Sequence, residues 1–170
     1  MPCGTEVEVR VARWEAFASS APDLAEAGRG LLYQYGIGLG FLATVRSDGG
    51  PRLHPFCPVI GEGGLFAFIV PSPKRTDLFR DGRYAIHSFP PEDVDDEFLV
   101  MGVAHPVEAA PVREALVAAY HMPVEGEWAL FEFDIERALL SRYRARGDWP
   151  PTYSVWHDAV VLGADGQVPQ

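Results

Sequence analysis

The stretch LGFLATVRSDGGPRLHPFCPVIGEGGLFAFIV, residues 39 to 70, leaves the chain few folding options. Phe41, Ala43 and Val45 alternate with Leu42, Thr44 and Arg46, and that period of two belongs to a strand with two unlike faces. SDGG then supplies residues that tolerate positive φ, the requirement of a tight hairpin. Leu53, Phe56 and Val59 carry a second strand. Pro51, Pro55 and Pro58 mark it as irregular or at a sheet edge, because proline donates no ladder hydrogen bond. GEGG makes another turn, and LFAFIV follows as a third strand.

The same punctuation continues downstream. RYAIHSF reads as a fourth strand and FLVMGVAHPVEAA as a fifth, with Gly102 marking a bulge or a close approach. EWALFEFDIERALLSRYRA contains a sixth, with Phe131 and Phe133 on one face, and TYSVWHDAVVL is a candidate last strand. Helical spacing is confined to a few places. In residues 11–36, Trp14, Phe17 and Ala18 share a face. Ser19 or Ser20 caps a restart at Ala21-Pro22-Asp23, Leu24, Ala27, Leu31 and Tyr35 continue it, and Gly36 and Gly38 stop it. Ser72 and Pro73 open a short helix with Leu78 and Phe79 on its buried face, and PVREALVAAYHM forms another. Turns join most neighbouring strands. The expected fold is therefore mainly β, an antiparallel barrel of six to seven strands with peripheral helices. Residues 1–170 read as one domain, with residues 1–10 a loose start.

Charge narrows the function. The chain has 24 acidic against 14 basic residues, a formal net charge of -10, and such a field repels nucleic-acid backbones and anionic membrane surfaces. No run approaches the roughly 20 apolar residues of a membrane helix. Cys3 and Cys57 form no CxxC pair or disulfide framework, and the N-terminus has no apolar signal core, so the expected compartment is the cytoplasm.

Catalytic signatures are scarce. No serine lies in a GxSxG elbow. None of His54, His87, His105, His121 and His157 pairs at HxH or HxxxH spacing, so no metal site is expected. GIGLG precedes a strand instead of opening a helix, which removes it as a nucleotide loop. The run Glu92 to Glu97 reads as a solvated acidic loop. Trp149, Tyr153 and Trp156 either wall a pocket or pack the last strand onto the barrel.

Two stretches stand out. In RLHPF, Arg52 and His54 point to one face of a strand, lining either a polar pocket or an exposed edge. In PSPKRTDL, helix-start amides, Ser72, Thr76, Lys74 and Arg75 converge; this is either an anion site or an ordinary capped helix with solvated cations.

Taken in order, LATVRSDG, RLHP, the apolar third strand running into SPK, the DL helix, GRYA and VMGVA resemble the pyridoxamine 5′-phosphate oxidase-like family of flavin-binding split β-barrels. The likeness covers residues 39–108, and 128–135 more weakly. It implies a homodimer with flavin mononucleotide (FMN) at the subunit interface and a redox reaction on a small-molecule substrate. It implies Arg52 and Lys74 as phosphate contacts and Ser72, Arg75 and Thr76 as helpers. His54 and Pro55 would lie along the cofactor, and Phe68, Ile69 and Val70 against the ring. The alternatives are a deazaflavin-dependent reductase on the same scaffold, or a non-enzymatic protein that binds flavin or haem. The C-terminal segment from Arg146 onward does not match the one with which true pyridoxamine phosphate oxidases grip their substrate. No side chain is assigned a catalytic role, since the redox chemistry would be the flavin's.

Overall fold

The computed structural model describes residues 12–159. The expected loose start at 1–10, Cys3 and the end of TYSVWHDAVVL lie outside them. Two helices come first, α1 (Trp14–Ser20) and α2 (Pro22–Leu32). Then follow β1 (Gly40–Val45), β2 (Pro51–Phe56), β3 (Val59–Gly61), β4 (Gly64–Ile69), α3 (Pro73–Arg80), β5 (Arg83–Ser88), β6 (Glu97–Pro106), α4 (Ala110–Ala119), β7 (Ala129–Arg142) and β8 (Thr152–His157). Among the described residues no helix is long and apolar enough to cross a membrane.

The strands form one curled antiparallel sheet, a split barrel. Seven run in the order β2-β1-β5-β6-β7-β4-β3, and β8 pairs with β7 off this path. The fourteen-residue β7 is the hinge of the architecture: its first half pairs with β4 and its second half with β8. The SDGG hairpin forms as read. Val45 faces Pro51, Arg46 N–H donates to Gly50, and Gly49 takes φ 82°. The second strand stops at Phe56; Pro58 interrupts it, and Val59 starts the separate short β3. Gly102 sits at a register shift between β6 and β7, where an added Cβ would lie 2.1 Å from the Asp134 carbonyl oxygen. Only glycine allows so close a backbone approach.

Helices α1 and α2 plug the concave side. Trp14, Phe17, Leu24 and Leu32 pack with Leu42, Ile86, Phe98, Val100, Phe133 and Ile135 into the main core. A second cluster, Val59, Phe66, Phe68, Leu116 and Leu130, lies beneath α4. Strand β4 is therefore buried on both faces, which explains its unbroken apolar run.

Local expectations needed correction at three points. Ala21, not a serine, precedes α2, and Ser20 Oγ instead donates to the Phe17 carbonyl as α1 ends. Leu78 is buried but Phe79 is 57% exposed, with an edge contact on the core ring of Phe131. The acidic loop is not merely solvated. Asp96 accepts from Tyr143 N–H, Asp95 from Gly147 N–H, and Arg146 donates to the Glu92 carbonyl, so the loop clamps the turn between β7 and β8. Of the C-terminal aromatics, Trp156 packs on Phe17 at 5.0 Å, whereas Trp149 and Tyr153 are exposed.

Candidate functional site

Strand register places Arg52 opposite Thr44 and His54 opposite Leu42, so both point to the concave face with the core residues Leu42 and Ile86. Leu53 and Pro55 point the other way and are exposed. Helix α3 descends onto this concave face. Its Asp77 is 3% exposed and receives the Arg52 Nε at 2.6 Å and the Thr44 hydroxyl at 2.9 Å. Arg80 approaches the other oxygen at 3.6 Å and also donates to the Val45 carbonyl. Burial alone would raise the Asp77 pKa. The hydrogen bonds from Arg52 and Thr44 and the charges of Arg52 and Arg80 together bring it below the ordinary carboxylate value. A buried anion thus fixes the Arg52 guanidinium at the β2–α3 junction.

The N-terminus of α3 is built as the sequence predicts, with Ser72 preceding the helix and Pro73 in its first turn. The Ser72 hydroxyl, however, donates to the Val70 carbonyl and makes no side-chain cap. Thr76 Oγ1 lies 3.4 Å from the Ser72 carbonyl, and Arg75 donates to the Glu127 carbonyl. No acidic residue occupies the first turn, so the helix dipole is uncompensated there.

Lys74 turns inward. It is half-buried beside Cys57, and burial pushes its pKa below the ordinary lysine value, with Cys57 opposing slightly. Among the described residues no carboxylate comes within ion-pair distance of its ammonium. Burial pushes the Cys57 thiol up in turn, against a hydrogen bond from Tyr120 and the Lys74 charge. Burial raises the Tyr120 phenol as well, with Cys57 beside it adding to the rise. Beyond Tyr120 a cavity of about 220 Å³ opens between the ends of α2 and α4, lined by Tyr33, Gly38, Pro58, Ile60, Tyr120 and His121.

The third-strand residues behave differently from one another. Ile69 is in the main core, and Phe68 lies under α4 between the Tyr120 ring at 5.2 Å and the Arg113 guanidinium at 5.3 Å. Both side chains are buried within the protomer. Val70 is 37% exposed. Strand β3 pairs only with residues Gly64 to Phe66, so from Ala67 onward β4 pairs with β7 alone. That leaves a backbone edge of β4 on the side where the chain passes through Cys57 and Pro58. Sequence reasoning missed Asp77, Thr44, Cys57 and Tyr120 as members of this cluster. Only Asp77, one turn beyond Lys74 and Arg75, carried a usable signal, as a carboxylate on a helix already rich in cations.

No family model and no curated protein matches the sequence. Solved structures do match in three dimensions. A heme binding protein from Mycobacterium smegmatis is 14% identical, with a TM-score of 0.57 over 77% of this chain and 57% of that one, so the present chain spans little more than half of it. A NimC/NimA family protein from Clostridium acetobutylicum is 16% identical, with a TM-score of 0.57 over 79% of this chain and 94% of that one. A candidate pyridoxamine 5′-phosphate oxidase from Listeria innocua is 13% identical, with a TM-score of 0.54 over 66% and 94%. The chain has the pyridoxamine 5′-phosphate oxidase-like split-barrel fold.

Proposed function

We propose that the protein is an FMN-binding oxidoreductase that works as a homodimer. The observation that carries this reading is Lys74: a half-buried ammonium at a helix N-terminus, with no carboxylate counter-ion among the described residues of a protein with net charge -10. Such a cation is stabilised by an anion that arrives with a ligand, and helix-start amides suit a phosphate. Arg52, braced by Asp77, supplies a second cation on the concave side. Ser72, Arg75 and Thr76 surround the same helix start. The open β4 edge from Ala67 to Val70 offers backbone groups to a planar ring, with Phe68 and Ile69 holding that edge from behind. His54 and Pro55 lie on β2 beyond Arg52, His54 toward the concave side and Pro55 on the other face. When bound, the flavin supplies the redox chemistry; the chain's own residues anchor the phosphate, orient the ring and exclude water.

Dimerisation is supported by the convex face of the sheet. Register lines up Leu53, Ala43, Ala85 and Met101 in one row and Pro55, Phe41, His87, Leu99, Leu139 and Val155 in the next. The rows are apolar apart from His87, and the first runs on from Met101 into Arg137 and His157; an apolar stretch with a polar margin on a sheet face fits a self-complementary partner.

A haem reading is favoured by the likeness to the mycobacterial heme binding protein and by His54 on the concave side. His87 is on the convex face, its Nδ1 2.6 Å from the Ser88 carbonyl oxygen. The test is the visible spectrum of the purified protein, followed by titration. Flavin absorption, and FMN held at least tenfold more weakly by Lys74→Ala with riboflavin unaffected, is the expected result. A Soret band would favour haem. A colourless protein that takes up neither FMN nor a deazaflavin would sink the oxidoreductase reading.

A further inference from the structure

Away from that cluster, three metal-ligating side chains meet across β6 and β7. His105 pairs in register with Glu132, and Asp134 stands two residues further along the same strand. His105 Nε2 is 3.6 Å from Glu132 Oε2, and Nδ1 is 3.5 Å from Asp134 Oδ2. One ligand atom from each of the three lies within 4.8 Å of the others. These gaps are longer than a well-made N–H···O bond. The two gaps involve different ring nitrogens; a single ion takes one of them, and the carboxylate facing the other swings over a separation of at most 4.8 Å to join it.

The surroundings hold the cluster in place. Arg13 Nε donates to Glu132 Oε1 at 2.5 Å while its Nη2 reaches the Glu62 carbonyl at 2.9 Å. That bond occupies one oxygen of Glu132 and turns the other toward His105, as supporting hydrogen bonds do for carboxylate ligands. Glu132 is 9% exposed, and the room for it depends on Gly64, where an added Cβ would lie 2.5 Å from Oε1. His105 is exposed, which gives an ion a way in.

We propose that His105, Glu132 and Asp134 form a binding site for a divalent cation of the Zn²⁺ class. The imidazole and two carboxylates give three protein ligands, and solvent at His105 provides the fourth. This donor set suits a borderline metal better than Ca²⁺ or Mg²⁺, which take oxygen ligands at higher coordination number. The site joins β6 to β7 and, through Arg13, to the start of α1.

The test is isothermal titration of the metal-free full-length protein with Zn²⁺. One equivalent per chain is expected. His105→Ala and Asp134→Asn should each weaken binding at least tenfold with circular dichroism unchanged, while His121→Ala leaves it as in the parent. No uptake of Zn²⁺, or full affinity retained in either the His105 or the Asp134 variant, overturns the proposal; in that case the three side chains form an ion-paired network only. The outcome is independent of flavin binding, because the site shares no residue with the Lys74 cluster.

Discussion

Arg52 Nε stands 2.6 Å from Asp77 Oδ2, joining an edge strand to the helix that carries Lys74. Asp77 is almost wholly buried, so its charge is tolerable only while Arg52, Thr44 and Arg80 surround it. The pair therefore acts as a brace between β2 and α3 and decides where the Arg52 guanidinium sits.

Replacing the carboxylate tests the brace. Asp77→Asn should lower stability by about 2–3 kcal/mol and weaken FMN binding, because Arg52 loses its buried partner. The folded-state pKa of Asp77 is depressed, so its stabilising contribution is present above the ordinary carboxylate range, about 4, and is lost as pH falls through the lower folded value. Urea melts of parent and variant should thus converge under strongly acidic conditions. A constant difference across the acid range would show that Asp77 is not the titrating group.

Lys74 should leave a pH signature in binding. Its pKa is low when unliganded, and a bound phosphate would raise it. The Lys74 contribution is then complete below the unliganded pKa and fades as pH rises toward the liganded one. The ratio of FMN to riboflavin affinity should fall with rising alkalinity in the parent and stay flat in Lys74→Met. A flat ratio in the parent would remove Lys74 from the phosphate.

The convex sheet face makes a prediction about assembly. Met101→Glu puts a charge into the Leu53–Ala43–Ala85–Met101 row and should raise the dimer dissociation constant at least tenfold, read by light scattering across a dilution series. An unchanged mass at every concentration argues that another face, or none, is used.

Two glycines should respond in opposite directions. Gly102→Ala drives a methyl group into the Asp134 carbonyl and should cost about 3 kcal/mol. Gly30→Ala, exposed within α2 with nothing near its would-be Cβ, should stabilise by up to about 1 kcal/mol. Thermal melts separate the two directly.

Much of this was legible in the sequence because it is local. Alternation gave β1, SDGG the first hairpin, Ser72-Pro73 the start of α3, and Gly102 the β6 irregularity. Phe68 was harder: its burial under α4 depends on a helix some forty residues later, which no strand pattern announces. Cys57 and Tyr120 meet for the same reason. His105, Glu132 and Asp134 escaped because a search for histidine pairs looks along the chain, whereas these residues converge through the antiparallel register of two strands. The acidic loop was misread in part because a run of charge says nothing about which backbone amides lie opposite it.

The prolines of β2 have a consequence for how the molecule behaves in a crowded solution. Arg46 N–H donates to the Gly50 carbonyl, so by alternation the residues whose N–H would point away from β1 are Pro51, Leu53 and Pro55. Two of those three have no N–H to offer. A strand from another molecule arriving at this rim finds a single donor where it needs three, and cannot zip on. Reversing that protection, with Pro51→Thr and Pro55→Thr together, would turn a quiet border of the sheet into a template for fibrous growth.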